Sequence, residues 1–453
     1  MGESLPLGRA QRLRRAVFDL KTIVLMRRDR AALAAMRTVE RAPLETVSHL
    51  SGERSAAMAL HAFRSTAYYR RRYLDAGFTE ADVARPENFA SLPMLTKQDI
   101  HEAGDDLISR DRPSRDRLPS KTGGSTGRPL LVYNDRSAPT AALWWRIYGW
   151  WGIHPGDDSA LIYRQKYAGM SRLIHIAQWW PTRQVLLDAR GTTEADIDRF
   201  LRELTRVRPS LLAGYVEGVN AFARHVQATA PQVPSMKAVS VTASMIHAGQ
   251  RELIEAVLGA AVYDTYRSAE VPWIAAECAE RNGLHVLADH RKLEVVDAAG
   301  VPVPDGETGD VLLTDLSNRA FPLVRYAIGD RTRWIAGGCD CRRGLPRIAP
   351  IDGRVADALR TPSGRLLSGG LGSLFVDHPG TIAQFQIHQA ADFSVVVRYV
   401  PVGDPAASTE AGRDAARKVS GFLGHEVPVT AQAVAEIENV GGKARMVVSE
   451  LAN

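Results

Sequence analysis

The segment Ser120-Lys121-Thr122-Gly123-Gly124-Ser125-Thr126-Gly127-Arg128-Pro129 places three glycines among hydroxyl side chains and two cations. Glycine lets backbone N–H groups turn toward an anion, while Ser and Thr add short donors and Lys and Arg add positive charge. The segment therefore predicts a phosphate-binding loop. It differs from a Walker A loop, which opens a helix, because Leu130-Leu131-Val132-Tyr133 predicts a strand after the last glycine.

The same glycines also match the Gly-x-Ser-x-Gly elbow of the α/β-hydrolases, with Ser125 as the nucleophile. Such an elbow lies between a buried strand and a helix. Residues 110–120 are instead polar and charged and contain two prolines, and an apolar β run follows the glycines. A hydrolase is therefore the weaker interpretation, and a flexible surface loop remains open for the segment taken alone.

Further motifs follow the loop in a fixed order. They are Tyr266-Arg267-Ser268-Ala269-Glu270, Phe321-Pro322-Leu323-Val324-Arg325-Tyr326-Ala327-Ile328-Gly329-Asp330, Gly353-Arg354 and Gly441-Gly442-Lys443. This ordered set resembles the adenylate-forming superfamily, and within it the phenylacetate–CoA ligase branch and its relatives, the capsule-biosynthesis and coenzyme F390 synthetase-like proteins. The resemblance extends from about residue 62 to Lys443. It implies an α/β fold, with a large N-terminal domain of layered sheets and helices and a small α+β C-terminal domain.

The resemblance also implies how ATP would be held. The glycine-rich loop would bind the β- and γ-phosphates through Thr122, Gly123, Gly124, Ser125, Thr126 and Gly127. Tyr266 would stack on the adenine, and Asp330, helped by Arg354, would accept hydrogen bonds from the ribose hydroxyls. Taken singly, Tyr266 also suits a buried strand and Asp330 also suits a turn.

Three residues would act on the reacting groups. By the same resemblance, Ser268 would contact the carboxylate or the α-phosphate, and Glu270 would hold Mg²⁺, a hard cation that prefers oxygen ligands. Lys443 would bridge the substrate carboxylate and the α-phosphate. Lys418 and Lys443 are the two lysines of residues 355–453, and Lys418 lies in a charged segment that explains it as a surface residue.

The implied activity is the ATP-dependent activation of a carboxylic acid as an acyl-adenylate, with release of pyrophosphate and transfer of the acyl group to CoA. One departure keeps a second acceptor open: Ala356 stands where the superfamily has the aspartate of its Gly-Arg-x-Asp hinge. An amine or hydroxyl acceptor, giving an amide or an ester, is therefore the alternative. A catalytically silent nucleotide-binding protein is a third hypothesis.

All three cysteines lie near the motifs, and they suggest a metal site. Cys278 precedes His285, and Cys339 and Cys341 follow the Asp330 motif. Thiolates and a neutral imidazole are tetrahedral zinc ligands, so these four residues are a candidate structural Zn²⁺ site. Three reduced buried cysteines and a surface histidine are the alternative.

Length and composition indicate an ordinary globular protein of two or more domains. We expect a large domain over residues 1–352, opening with a helical segment over 1–90, and a small mobile domain over 353–453. The chain has no run of 18 or more apolar residues and too few cysteines for a disulfide framework, so we expect no transmembrane segment and a cytoplasmic location. Tryptophan pairs at 144–145, 150–151 and 179–180 make an aromatic acid one candidate substrate.

The N-terminal 40 residues are basic, with nine Lys or Arg against four Asp or Glu, a difference of +5. Leucines and valines recur among them at helical spacing, which predicts an amphipathic helix. The simplest expectation is a docked helix whose basic face is solvated, and contact with a membrane surface or an acidic partner is the alternative. No basic patch interleaved with aromatics suggests nucleic acid, and a homodimer remains open.

Overall fold

Helices fill the first part of the chain. The computed structural model describes residues 8–121, 130–163, 167–189, 194–351 and 446–451, and residues 359–437 apart from 364–365, 368–370, 372–373, 376 and 379. The helices before the first strand are α1 (Arg9–Leu25), α2 (Arg27–Val39), α3 (Leu44–Ser65), α4 (Ala67–Asp75), α5 (Glu80–Val83) and α6 (Lys97–Ala103). Short 3-10 helices follow or connect them at Pro86–Ser91, Gly104–Leu107 and Ser114–Asp116.

A sheet of nine strands organises the middle of the chain. Five of its strands are parallel: β3 (Ser159–Tyr163), β4 (Gln184–Asp188), β5 (Leu211–Tyr215), β6 (Ala238–Thr242) and β7 (Ala261–Tyr266). Four short antiparallel strands extend it beyond β7: β8 (Ala275–Glu277), β9 (Leu284–Val286), β13 (Trp334–Ile335) and β14 (Arg347–Ile348). The spatial order is β13-β14-β9-β8-β7-β6-β5-β3-β4.

Helices alternate with the parallel strands along the chain. They are α7 (Thr140–Trp150), α8 (Gly169–Trp179), α9 (Glu194–Val207), α10 (Val216–Thr229) and α11 (Ala248–Leu258). Helix α9 shows why the sequence folds this way, because its buried residues recur at three- and four-residue steps: Ile197, Phe200, Leu201, Leu204 and Val207. This apolar stripe packs with α10 and the buried faces of the strands in one continuous core.

Two smaller sheets complete the large part of the molecule. The strands β1 (Arg117–Lys121) and β2 (Leu131–Asp135) pair antiparallel. The strands β10 (Arg291–Val296), β11 (Gly309–Asp315) and β12 (Tyr326–Thr332) form an antiparallel sheet. Their apolar residues share a second core with helices α2, α3, α4 and α7.

The C-terminal part has a core of its own, drawn from residues 359–447. Its elements are β15 (Leu359–Arg360), β16 (Leu366–Leu367), β17 (Ile382–Gln389), β18 (Val395–Pro401), α12 (Pro405–Phe422), β19 (Val429–Ala433) and β20 (Val447–Ser449). Four strands form one sheet in the order β19-β18-β17-β20. Asp404 caps the first backbone N–H groups of helix α12, and Pro405 suits the first helical position.

The orientation of α1 corrects one expectation. Its basic side faces the protein, where Arg15 Nε lies 2.6 Å from Asp157 Oδ1 and Arg14 lies 3.0 Å from Asp158. Leu13 and Leu20 on the opposite side are exposed. The expected docked helix is present, but its basic face is only partly solvated. Arg14 and Arg15 pair with two buried carboxylates more than 140 residues away, whereas Arg9 and Arg12 are exposed. Within the described residues, no helix combines the length and hydropathy needed to cross a membrane.

Candidate active site and metal centre

Two of the motifs meet through a hydrogen bond between buried side chains. Tyr266 is the last residue of β7, and its hydroxyl donates to Asp330 Oδ2 on β12 at 2.7 Å. Both side chains are buried. The structure thus brings together the residues predicted to hold adenine and ribose, although they are 64 residues apart.

The turn after β7 positions Ser268 and Glu270. The Ser268 backbone N–H donates to Val271 O at 3.1 Å, and Ser268 Oγ accepts from the Val271 N–H at 2.9 Å. The buried Glu270 accepts a hydrogen bond from the Tyr326 hydroxyl through Oε1 at 3.3 Å. Sequence reasoning gave Tyr326 no role, although the residue lies inside the motif that ends at Asp330.

The glycine-rich segment enters from a strand beside this turn. Ser120 Oγ, one residue before the end of β1, donates to Ala269 O at 2.9 Å. Residues 122–129, which include the predicted phosphate ligands Thr122 to Gly127, lie outside the described residues. The flanking strands β1 and β2 are antiparallel partners. The strand-to-helix setting of a hydrolase elbow is therefore absent from the described flanks, as the sequence predicted.

A buried arginine holds the start of the Asp330 motif in place. Arg325 has a positive φ of 50°, a strained backbone for a non-glycine residue. Its guanidinium lies 3.2 Å from Glu294 Oε1 and donates to the Gly300 carbonyl at 2.8 Å. These contacts fix the strand that carries Asp330. Arg354 and Lys443, the other predicted ligand contacts, lie outside the described residues, as does Ala356.

Aromatic side chains and one arginine gather at the same edge of the sheet. Tyr163 ends β3 and Tyr215 ends β5, and parallel strands bring their carboxyl ends to a common edge, where α/β folds bind ligands. The Arg267 guanidinium lies 4.8 Å from the ring centres of both Tyr163 and Trp273. Among the described residues Arg267 has no carboxylate partner.

The tryptophan pairs are distributed differently from their grouping in the sequence. Trp150 Nε1 donates to Glu40 at 3.0 Å, and Trp151 Nε1 donates to Glu277 O at 2.9 Å. Both are core residues, whereas Trp180 is exposed on the surface. The aromatic lining beside Arg267 therefore comes mainly from tyrosines and Trp273.

The four candidate metal ligands converge at the outer end of the large sheet. Strands β8, β9 and β14 are hydrogen-bonded neighbours, and the loop between β13 and β14 passes beside them. The ligand atoms all lie within 4.8 Å of one another: Cys278 Sγ, His285 Nε2, Cys339 Sγ and Cys341 Sγ. The pairing of Arg347 with His285 explains this meeting of residues from distant parts of the chain.

The distances suit a tetrahedral ion. Two Zn–S bonds of about 2.3 Å meeting at the tetrahedral angle hold their sulfurs about 3.8 Å apart. Cys278 Sγ and Cys339 Sγ are separated by 3.7 Å, and Cys341 Sγ lies 3.2 Å from His285 Nε2. Four protein ligands leave no open position, so the arrangement suits a structural rather than a catalytic metal.

The histidine is prepared to act as a ligand. Burial lowers the pKa of His285 to about 4, so its ring is neutral at physiological pH. Its Nδ1 lies 3.1 Å from the Leu345 carbonyl, to which only an N–H can donate. The proton therefore lies on Nδ1, and the Nε2 lone pair faces Cys341, as in metal sites that orient histidine by a second hydrogen bond.

Comparison with known proteins agrees with this architecture. The chain is similar to the 2-hydroxyisobutyryl-CoA ligase in its postadenylation state, with a TM-score of 0.74, 22% identity and 91% of each chain covered. The fold is therefore that of the adenylate-forming enzymes, as predicted.

The sequence relatives are more specific. The chain is 26% identical to the phenylacetate–coenzyme A ligase of Thermus thermophilus, over 71% of this chain and 73% of that protein. It is 27% identical to the Escherichia coli enzyme of the same name, over 71% and 74%. No family model matches the chain. The resemblance to the phenylacetate–CoA ligase branch is thus confirmed.

Proposed function

We propose that the protein is an AMP-forming acid ligase that activates a carboxylic acid with ATP and transfers the acyl group to CoA. The observation that carries this proposal is the Tyr266–Asp330 hydrogen bond, at 2.7 Å, at the carboxyl end of a parallel strand. Ser120, at the entrance to the glycine-rich loop, is hydrogen-bonded to the same turn. The residues assigned to adenine and ribose are thus bonded to each other, and the strand that leads into the assigned phosphate loop contacts the turn after Tyr266, which supports the assignment.

The chemistry follows in two balanced steps. A carboxylate oxygen attacks the α-phosphorus of ATP, forming the acyl-adenylate and releasing pyrophosphate. The CoA thiol then loses its proton, and its sulfur attacks the acyl carbon and releases AMP. Both reactants of the first step are anionic, so catalysis requires positive charge at the α-phosphate. We assign Lys443 and a Mg²⁺ ion held by Glu270 to this task, with Ser268 beside the carboxylate.

The acyl group would lie among the side chains at the sheet edge. Tyr163, Tyr215 and Trp273 offer flat apolar surfaces, which suit an aromatic or otherwise planar acid. Arg267 lies between two of these rings and would bind a polar substituent of the acid. This group of rings supports the aromatic substrate suggested by the sequence.

We also propose that residues 353–453 form a small mobile domain that presents Lys443. Its support is the separate core of the C-terminal unit and the position of Gly353-Arg354 at its beginning. Movement of this unit would exchange the adenylation and thioester steps. A fixed unit would favour the alternative acceptors, an amine or a hydroxyl.

The experiment is a product analysis over a panel of aromatic and aliphatic acids with ATP and Mg²⁺. We expect pyrophosphate release with one class of acid, and AMP and a thioester in equal amounts when CoA is added. An amide or ester formed with an added amine or alcohol, without a thioester, would establish the alternative. Phosphate and ADP as products would contradict adenylation.

We further propose that Cys278, His285, Cys339 and Cys341 hold one structural Zn²⁺. The ion would link the strand that leads from Tyr266 to the chain that follows Asp330, and so stabilise the nucleotide site indirectly. Thiolate ligands require reduced cysteines, which suits a cytoplasmic protein. Zinc would supply folding free energy rather than chemistry.

Metal analysis tests this second proposal. We expect about one equivalent of zinc in the purified protein, and loss of both zinc and thermal stability in Cys339→Ser and His285→Gln. His49→Gln is the matched control, because that histidine is exposed and remote from the cluster. Less than about a tenth of an equivalent of zinc, with the cysteine variants as stable as the parent, would contradict the site.

A further inference from the structure

Helix α1 presents an apolar outer face. Leu13, Leu20 and Leu25 are 66%, 64% and 71% exposed, and Val24 is 56% exposed. They lie opposite the arginines that bind Asp157 and Asp158. The helix is thus held to the protein by ion pairs, and its apolar side is left without a covering element among the described residues.

Helix α8 continues this surface. His175 is its one buried residue, whereas Met170, Leu173 and Ile174 are at least 60% exposed. Lys21 Nζ of α1 donates to Gln178 O at 2.8 Å and to Trp180 O at 2.6 Å, which brings the end of α8 against α1. We call the exposed apolar side chains of these two helices, with Trp180, the α1–α8 surface.

The concentration of apolar side chains here is unusual for the molecule. Ten of the 17 exposed large hydrophobic residues of the described chain belong to the α1–α8 surface. The largest apolar patch on a typical monomer covers about 300–600 Å², and larger patches mark binding surfaces. Ten large side chains exposed by half or more therefore mark this part of the molecule as a candidate binding surface.

The exposed charged residues of the segments that form this surface are of one sign. In residues 8–39 every exposed charged residue is an arginine: Arg9, Arg12, Arg27, Arg28 and Arg37. Asp19, the carboxylate next to them, is 2.9 Å from Arg30 in an ion pair. No Asp or Glu occurs between residues 159 and 187, a span that also contains the exposed Arg172.

We propose that the α1–α8 surface binds the anionic surface of a lipid bilayer. Leucine, isoleucine and tryptophan side chains enter the boundary between headgroups and acyl chains, and the surrounding arginines contact lipid phosphates. A two-fold contact with a second copy would set the same arginines against each other, which like-charge repulsion disfavours. The attachment is peripheral, and it is independent of the catalytic proposal.

Vesicle flotation of the full-length protein tests the proposal. One set of vesicles contains phosphatidylcholine alone, and the other contains phosphatidylcholine and phosphatidylglycerol in equal parts. We expect flotation with the anionic vesicles, loss of binding in high salt, and little binding to the neutral vesicles. In Arg12→Gln and Arg28→Gln, each lost cation lowers the bound-to-free ratio about fivefold.

Matched variants distinguish the contribution of apolar side chains that enter the bilayer from the contribution of the arginine charges. Leu20→Ser with Leu173→Ser should release the protein from anionic vesicles, whereas Leu74→Ser with Val301→Ser, at similarly exposed positions elsewhere, should leave binding unchanged. Thermal unfolding checks that each variant is folded. The arginine variants provide a second test if a leucine variant unfolds.

Three outcomes would overturn the proposal. The first is no flotation with anionic vesicles, which would leave an acidic protein as the occupant. The second is equal vesicle binding by the double variant Leu20→Ser and Leu173→Ser and by its control, the double variant Leu74→Ser and Val301→Ser. The third is a parent protein that is dimeric by light scattering and does not bind vesicles, together with a Leu20→Ser and Leu173→Ser variant that is monomeric. That result would assign the surface to a second copy of the chain.

Discussion

Tyr266 and Asp330 are the side chains on which nucleotide binding depends most directly in the proposed site. Replacing Asp330 by Asn removes the charge that would accept both ribose hydroxyls, and hydrogen bonds to charged groups contribute about 1.5–3 kcal/mol. We expect Asp330→Asn to raise the KM for ATP about 10- to 100-fold. Tyr266→Phe, which loses one hydroxyl and keeps the ring, should have a smaller effect.

Initial rates over a range of ATP concentrations measure this difference. The acid concentration is held at saturation, so that a change in acid binding does not enter the result. If Asp330→Asn left the KM for ATP unchanged, the ribose assignment would be wrong even if the enzyme still formed an adenylate.

The position of Arg267 leads to a separate prediction, which concerns the preference for the acid substrate rather than the binding of ATP. Its guanidinium packs on the Tyr163 and Trp273 rings and lacks a carboxylate partner in the described part of the chain. Arg267→Met keeps most of the side-chain volume and removes the charge. We expect at least a tenfold shift in relative kcat/KM from acids with a polar substituent toward unsubstituted acids, since a charged hydrogen bond is lost.

The KM for ATP serves as the internal control for Arg267→Met and should change less than about twofold if the side chain contacts only the acid. A large rise in the KM for ATP, with acid preference unchanged, would place Arg267 in the nucleotide site instead.

At the level of elements, a buried ion network joins α2, α7 and the loop before β10. Arg146 Nε donates to Glu40 at 2.7 Å, and its Nη1 donates to Asp289 at 2.8 Å. Removing one partner of a buried pair leaves an uncompensated charge and costs about 3–5 kcal/mol. We expect Arg146→Met to lose about that much unfolding free energy, whereas Arg71→Met, at an exposed pair, should lose about 0–1 kcal/mol.

The same network predicts a pH dependence. Burial alone would raise the pKa of Asp289, but Arg146 and His290 hold it well below its ordinary value. A carboxyl whose pKa is lower in the folded state stabilises the fold above its unfolded pKa of about 3.9, and that stability is lost as the pH falls below it. Denaturant unfolding at pH 7 and near pH 3 should therefore show a smaller acid loss in Arg146→Met than in the parent. An equal loss would contradict this account.

Helix α12 offers a matched pair of glycines. A Cβ on Gly412 would lie 2.3 Å from the Tyr399 ring, whereas a Cβ on Gly421 would meet nothing within 4 Å. Overpacking costs about 1–3 kcal/mol, while Ala replaces Gly in a helix with a gain of up to about 1 kcal/mol. Gly412→Ala should therefore destabilise the C-terminal unit in thermal unfolding, and Gly421→Ala should not. Equal effects of the two changes would contradict the packing of α12 on β18.

Across the whole molecule, the sequence predicted features that depend on local pattern. The apolar run at 130–133 predicted the strand β2, and the helical spacing of leucines and valines near the N-terminus predicted α1. The polar residues 117–121 gave no strand signal, because β1 exists through pairing with β2. The direction of α1 depends on Asp157 and Asp158, and contacts over such a separation leave no trace in a local pattern.

In the candidate site, too, the sequence predicted single residues, and the fold was needed to show how they contact one another. The motifs identified Tyr266, Glu270 and Asp330 individually, and the cysteines suggested a metal cluster. Only the fold showed that the Tyr266 hydroxyl bonds Asp330 and that Tyr326 holds Glu270. The residues assigned to phosphate and carboxylate, Thr122 to Gly127 and Lys443, remain predictions from the motifs.

The central claim is that this protein makes an acyl-adenylate, and carboxylate-dependent ATP–pyrophosphate exchange measures that step directly, without any acceptor. The parent and Lys443→Ala are compared over the acid panel, with Lys418→Ala as the control, since Lys418 pairs with Asp377 and Asp414 on the surface. The account predicts that the parent catalyses exchange with one class of acid and that Lys418→Ala exchanges at the same rate. In Lys443→Ala the exchange rate should fall at least about 100-fold, because a charge contact with the transition state is lost. Bound ATP without exchange for any acid would contradict it.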